Sequence, residues 1–194
     1  MMAVAALERD AELMLRVRDG DSTSFALLLE RHRNPVVHFL YRMVQNQAVA
    51  EELAQEVFLR VYRSRGSYEP TAKFSTWLFR IATHLALNWI RDGRHEKALE
   101  SLDSPAGADD APMRQFSDGA PSVEQTLVRQ ARMAEIRAAI EALPEKQKAA
   151  VLMHKYQEME YSQIASVLGC SESAVKSLVF RAYQTLRARL AHMA

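Results

Sequence analysis

Two long stretches of helical periodicity, parted by a segment that has none, constrain this chain more than any other feature. From Ser101 to Ser122 the sequence passes through Pro105, Gly107, Pro112, Gly119 and Pro121 with several aspartates, and no apolar face repeats. That composition reads as a flexible linker. It is also longer than the loops found inside compact domains. Two small helical units are therefore expected, over 1–96 and 123–194, with an acidic linker over 97–122. No segment alternates strictly between polar and apolar residues, so strands are not expected and the fold class is all-α.

In the first stretch, Glu8–Arg18 is a short amphipathic helix that stops at Gly20. Asp21 or Ser22 can cap the next helix by accepting from its unpaired first-turn amides. That helix carries Phe25, Leu28 and Leu29, then Val36, Phe39, Leu40 and Met43. Pro35 lacks a donor and crowds the preceding turn, so a kink or break is expected near Asn34. A third helix, about Gln47–Ser64, buries Leu53, Val57, Phe58 and Val61. The Gly66–Lys73 loop leads to a fourth, about Phe74–Asp92, with Trp77, Leu78, Ile81, Leu85 and Trp89. In the second stretch, helices are expected at Val123–Ala142, Glu145–Tyr156, Tyr161–Leu168 and Ser173–Leu190. Pro144 is well placed at a helix start.

Net charge is only +1, but its distribution is uneven. Residues 1–95 hold 13 Lys/Arg against 11 Asp/Glu, residues 96–124 hold 2 against 7, and residues 125–194 hold 10 against 6. The middle is acidic and the rear is basic, and for a chain that meets DNA this distribution matters more than the sum.

The rear holds the sharpest local pattern, Tyr161 through Ala182. Ile164, Ala165 and Leu168 form one apolar face, and the small Ala165 allows close helix approach. Gly169 suits a left-handed helix stop. Ser171 or Ser173 can cap the next helix, whose Val175, Leu178 and Val179 face inward. Lys176, Ser177, Phe180 and Arg181 then lie outward. This is the pattern of a helix-turn-helix, whose second helix enters the major groove. There Lys and Arg reach phosphate or guanine, and Phe touches a thymine methyl.

The front holds two further segments. Ala50 to Arg63 places Glu52 and Glu56 four apart with Gln55 beside them, an acidic helix face that is either solvated or a dock for a basic partner. Phe74 to Arg91 interleaves aromatics with Arg80 and Arg91, and Lys73 precedes it. Bases can stack on such rings while cations hold phosphates. The loop with Tyr68 is a place to receive an unstacked base.

Taken in order, these segments resemble the extracytoplasmic-function sigma factors of the sigma-70 family. Gly20-Asp21 with Phe25 and Tyr41 resembles the start of sigma domain 2. Glu51 to Phe58 resembles its core-polymerase-binding helix, and Phe74 to Leu78 with Ile81-Ala82 its promoter-melting helix. Leu143-Pro144 onward, with Tyr161, Ile164-Ala165, Val175-Lys176-Ser177 and Phe180-Arg181-Ala182, resembles sigma domain 4. The resemblance implies that Glu51, Glu52, Leu53, Gln55, Glu56 and Phe58 bind the polymerase clamp. Tyr68, Lys73, Trp77, Arg80, His84, Asn88 and Arg91 would open and hold the −10 element. Tyr161, Ser173, Lys176, Ser177, Phe180 and Arg181 would hold the −35 element while earlier helices of domain 4 meet the polymerase flap. An anti-sigma factor is an implied partner, and the regulon would answer stress or envelope damage. Two positions depart from the family pattern: His84 stands where Asn is common, and Glu158 where Gly is common. Asn88 fills a position held by Asp or Asn.

No metal site, cofactor or small-molecule substrate is expected. His32 and His38, like His84 and His95, lack helical ligand spacing, and Cys170 has no partner in a zinc pattern. No nucleotide fingerprint or catalytic triad order appears, so the chain is not expected to be an enzyme. A single cysteine fits a reducing bacterial cytoplasm. Neither a signal peptide nor a membrane span is expected, and the free chain is expected to be a monomer. The rival reading is a conventional helix-turn-helix regulator with an N-terminal helical sensor domain, which would bind duplex operators by itself.

Overall fold

A computed structural model of the chain describes residues 2–100 and 123–193. The segment expected to be the linker lies, over 101–122, outside the described residues. The described residues form eight α-helices and two short 3-10 turns, with no strand.

Helix α1 (Met2–Arg18) ends at Gly20, whose φ of 104° is open only to a residue without a side chain. Helix α2 (Ser22–Val44) starts on Asp21, whose carboxylate accepts from the amides of Thr23 and Ser24 at 2.9 and 3.3 Å. Of the kink or break expected near Asn34, the break does not occur, for α2 is one continuous helix through Pro35. A proline inside a helix costs about 3 kcal/mol. Leu28 on one side and Val36, Phe39, Leu40 and Met43 on the other are all buried. At about 1.5–3 kcal/mol each, keeping them in one register outweighs the proline.

Helix α3 (Gln47–Arg63) is capped by Asn46, which accepts from Val49 N at 3.1 Å. Ala50 and Ala54 are buried on α3, which packs on α2 and α4, and their small side chains permit close approach. A 3-10 turn at Arg65–Ser67 leads into α4 (Phe74–Glu100), which outruns its expected end at Asp92 and enters the segment assigned to the linker. Helix α1 is pinned across α2 by Asp10, a buried carboxylate that takes His32 Nε2 at 2.8 Å and the Arg31 guanidinium.

The rear set comprises α5 (Val123–Glu141), α6 (Glu145–Tyr156), α7 (Tyr161–Leu168) and α8 (Glu172–Arg189). Two left-handed residues bracket α7. Gly169 (φ 63°) ends it, and Glu158 (φ 51°) sits in the turn before it. The Glu158 turn closes as the amide of Met159 reaches back to the Met153 carbonyl at 3.2 Å. Ser171 caps α8 by accepting from Ala174 N at 3.2 Å.

The two sets do not keep separate cores. One buried cluster runs from Met14, Phe39, Leu78 and Phe79 in the front to Leu152, Met153, Ile164 and Val167 in the rear. Helix α4 lies against α7, and α2 against α6. Among the described residues, Leu143, Val151 and Ala182 form a small cluster apart from it.

Candidate nucleic-acid interface

Three helix faces carry the candidate residues. On α4 and the residue before it, Lys73, Arg80, His84, Asn88 and Arg91 are exposed and Trp77 is half-buried. Their spacing of three and four puts them along one side of the helix. Tyr68 lies elsewhere. It is 3 % exposed, its ring 5.0 Å from that of Trp77 and 6.3 Å from that of Phe74. Burial, with the nearby Asp10 carboxylate, raises its phenol above the usual range. Tyr68 thus props Trp77 from beneath while the surface is left to its neighbours.

Sequence reasoning missed a groove next to this stripe. Arg60, Arg63 and Ser64 at the end of α3 face Trp77 and Ile81 of α4 across an open groove of about 450 Å³. Cations beside an indole are the parts that hold a single strand. They come from different helices, so no spacing along the chain announces them.

On α3, Glu51, Glu52 and Gln55 are exposed, Leu53 and Glu56 are half-buried, and Phe58 is buried. Glu51 accepts from Gln47 Nε2 at 2.7 Å, and Glu56 pairs with Arg60 at 2.7 Å. Such exposed pairs are worth little and yield easily to a partner. The same face continues into Leu59 and Tyr62, which are 48 % and 40 % exposed. Leu59 and Tyr62 thus leave apolar surface in solvent beside the row of acids, with the Tyr62 ring 5.1 Å from that of Phe25. The signal was available: Glu52, Gln55, Leu59 and Tyr62 repeat at three and four.

On α8, Ser173, Lys176, Ser177, Phe180 and Arg181 are all exposed. Phe180 is 62 % exposed, an unusual place for a phenylalanine without a partner to touch. Lys176 holds Glu172 at 3.2 Å in a solvent-facing pair, and Ser177 Oγ donates to the Ser173 carbonyl at 3.1 Å. Tyr161, at the start of α7, is half-buried against His154, their rings 5.0 Å apart. Tyr183, 44 % exposed and one turn beyond Phe180, was not singled out from the sequence. Among the described residues no group of His, Cys, Asp and Glu is placed to hold a metal ion, and no helix is long and apolar enough to cross a membrane.

Residues 28–96 match the family model for sigma-70 region 2, and residues 133–186 that for sigma-70 region 4. The chain is 35 % identical to RNA polymerase sigma factor CarQ of Myxococcus xanthus, over 93 % of this chain and 97 % of that one. It is 30 % identical to the ECF RNA polymerase sigma factor SigW of Bacillus subtilis, over 90 % and 93 %. Among solved structures it is similar to CnrH, determined in complex with the cytosolic domain of CnrY. The TM-score is 0.70 at 18 % identity, over 95 % of this chain and 99 % of that one, a likeness of fold.

Proposed function

Because the chain belongs to the sigma-70 family as a sigma factor of the extracytoplasmic-function type, we propose that its three exposed faces divide the work of starting transcription. The α3 face of Glu51, Glu52, Gln55 and Glu56, extended by Leu59 and Tyr62, docks on core RNA polymerase. The α4 stripe of Lys73, Trp77, Arg80, His84, Asn88 and Arg91 holds the melted −10 strand. The groove beside it, with Arg60 and Arg63, receives an unstacked base. The α8 face of Lys176, Ser177, Phe180 and Arg181 reads the −35 duplex. Tyr161 and Ser173 set the approach of α8, and Tyr68 and Phe58 support their faces from within. The chain supplies no reacting group; the polymerase does the chemistry. An anti-sigma factor would silence it by covering these faces.

One observation carries this division. The same chain presents two cation-bearing helix faces, on α4 and on α8, together with an acidic and apolar face on α3. A regulator that binds operators alone has no use for the third. The test is run-off transcription with core polymerase on a randomised promoter library. Initiation at a defined pair of elements is expected. Defined footprints by the free protein, with no initiation when core is added, would return the reading to a conventional regulator.

A further inference from the structure

Helix α8 carries one acid, Glu172, among four basic residues, Lys176, Arg181, Arg187 and Arg189. Glu172 stands in its first turn, and its carboxylate lies 3.2 Å from the Lys176 ammonium. Both side chains are more than half exposed. The helix does not need this acid as a cap. Ser171 already accepts from Ala174 N at 3.2 Å, and its hydroxyl lies 3.0 Å from that of Ser173. Arg181 is placed differently: it is exposed and pairs with no carboxylate among the described residues.

An exposed pair four residues apart is ordinarily a solvated brace. On a helix that meets a duplex it has a cost. The carboxylate repels phosphates and cancels the charge with which Lys176 would attract them. The pair is therefore a poor phosphate anchor. What it does present, side by side, is one hydrogen-bond acceptor and one donor. In the major groove a G·C pair presents the complement, for cytosine N4 donates and guanine O6 accepts. Those two atoms share the hydrogen bond of the base pair, so they lie about 2.9 Å apart. The carboxylate–ammonium separation of 3.2 Å is close to that spacing.

We propose that Glu172 is a specificity-determining residue of the −35 reader, one that turns Lys176 from a phosphate anchor into half of a base-reading pair. Glu172 accepts from cytosine N4 while Lys176 donates to guanine O6 of the same base pair. The proposal rests on the assignment of α8 to the −35 duplex. Position supports it, since the N-terminal residues of such a helix are those that meet base edges. Glu172 also shares the side of α8 that carries Ser173, Lys176, Ser177 and Phe180, all exposed. The hydroxyls of Ser173 and Ser177 are already engaged, with Ser171 and with the Ser173 carbonyl, and Phe180 has no polar side-chain atom. In these two turns Glu172 and Lys176 are thus the side chains left to make directional contacts. Arg181, with no acid beside it, keeps its full charge for the duplex.

The test uses the full chain with core polymerase and a promoter library randomised over the −35 element. One position that the unaltered chain fixes as G·C should relax about tenfold in Glu172→Gln, at unchanged helicity, while the other positions stay as they were. The same variant frees Lys176 for phosphate. Binding to unrelated duplex should therefore tighten, and log affinity should fall more steeply with log salt, by about 0.9 in slope. Lys176→Met should relax the same position, and the double variant should lose no more there than either single one. Uniform tightening with every base preference unchanged would show that Glu172 merely repels phosphate, and would overturn the proposal. Relaxation spread over several positions, as a retilted α8 would give, or relaxation at a position fixed as A·T, would overturn it too. Failure of the promoter reading looks different, for then no defined −35 sequence emerges even with the unaltered chain.

Discussion

Helices α4 and α8 carry the same chemistry on different support. Each shows cations and an aromatic ring to solvent. Yet α4 is wedged among α1, α2, α3 and α7, whereas α8 rests chiefly on α6 and α7 with a slight contact to α5. Beneath α4 lie interlocking rings, with Phe39 and Phe79 edge to face at 5.3 Å and Tyr68, Phe74 and Trp77 within 6.3 Å of one another. Beneath α8 lie only small and aliphatic side chains: Val175, Val179 and Ala182. The proposed division of labour would use this difference: α4 would have to hold a melted strand against re-annealing, and it is the helix packed by more neighbours. An intact duplex is stiff by itself, and its reader needs only a correctly aimed helix.

The largest effect should come from breaking the rigid side. Phe79→Ala removes a buried ring and its edge-to-face partner, and should cost about 3–5 kcal/mol in urea unfolding. Val179→Ala under α8 should cost about 2 kcal/mol, two methyl groups at about 0.8 each plus a small cavity. Equal losses at the two sites would mean that α4 is no better anchored than α8.

Next in size is a change confined to the reader. Arg181→Ala should weaken holoenzyme binding by about 1–3 kcal/mol on promoters with an intact −35 element. On templates already melted at −10 and lacking −35 it should change nothing. A loss on both templates in filter-binding titrations would show that the two faces are not separable.

How much of this contrast could be read in advance depends on whether the residues involved share a helix. Period and punctuation gave α3, α6, α7 and α8 to within a residue or two, helped at α7 and α8 by Gly169 and Ser171, which act on their immediate neighbours. The break at Pro35 was misjudged because a local rule met five side chains of α2 itself, on both sides of the proline, that are buried against the rest of the bundle. Tyr68 was read with its loop as a place to receive an unstacked base, and the structure buries it against Trp77 and Phe74. The Arg60–Arg63–Trp77 groove needed packing to appear, because its residues come from two helices, whereas the Leu59–Tyr62 extension lay within the periodicity of α3 and was overlooked. Lys148 is the clearest case. In the sequence it is one more basic residue of the rear, and only the docking of α6 on α2 turns it into a buried group.

A smaller effect concerns the two turns around α7, which use one backbone conformation with different residues. The left-handed region costs a residue with a side chain about 1–2 kcal/mol. Glu158 bears that cost and Gly169 does not. Glu158→Gly should therefore raise stability by about 1 kcal/mol, less the entropy glycine gains when unfolded. Gly169→Ala should lower it, although nothing lies within 4 Å of the added carbon, because the strain is in φ. A drop in melting temperature for Glu158→Gly would show that the glutamate side chain offsets its own strain.

The smallest effect separates the helix starts. Asp21 caps α2 with a carboxylate, and Ser171 caps α8 with a hydroxyl. The hydrogen bonds from Ser24, first its hydroxyl and then its amide, hold the Asp21 carboxyl below its ordinary value of 3.8. A group whose folded value is depressed stabilises the fold above its unfolded value, and that stability is lost as pH falls through the folded one. Acid should therefore free the amides of Thr23 and Ser24 below about pH 4, while that of Ala174, held by a serine, should not respond to the same titration. Asp21→Asn keeps an acceptor at the cap and removes the proton, so it should flatten the acid limb at α2 and leave neutral stability nearly unchanged. Hydrogen exchange at those three amides between pH 5 and pH 2.5 reads this directly. A matching loss of protection at Ala174 would mean that acid unfolds both halves together and that the caps do not act independently.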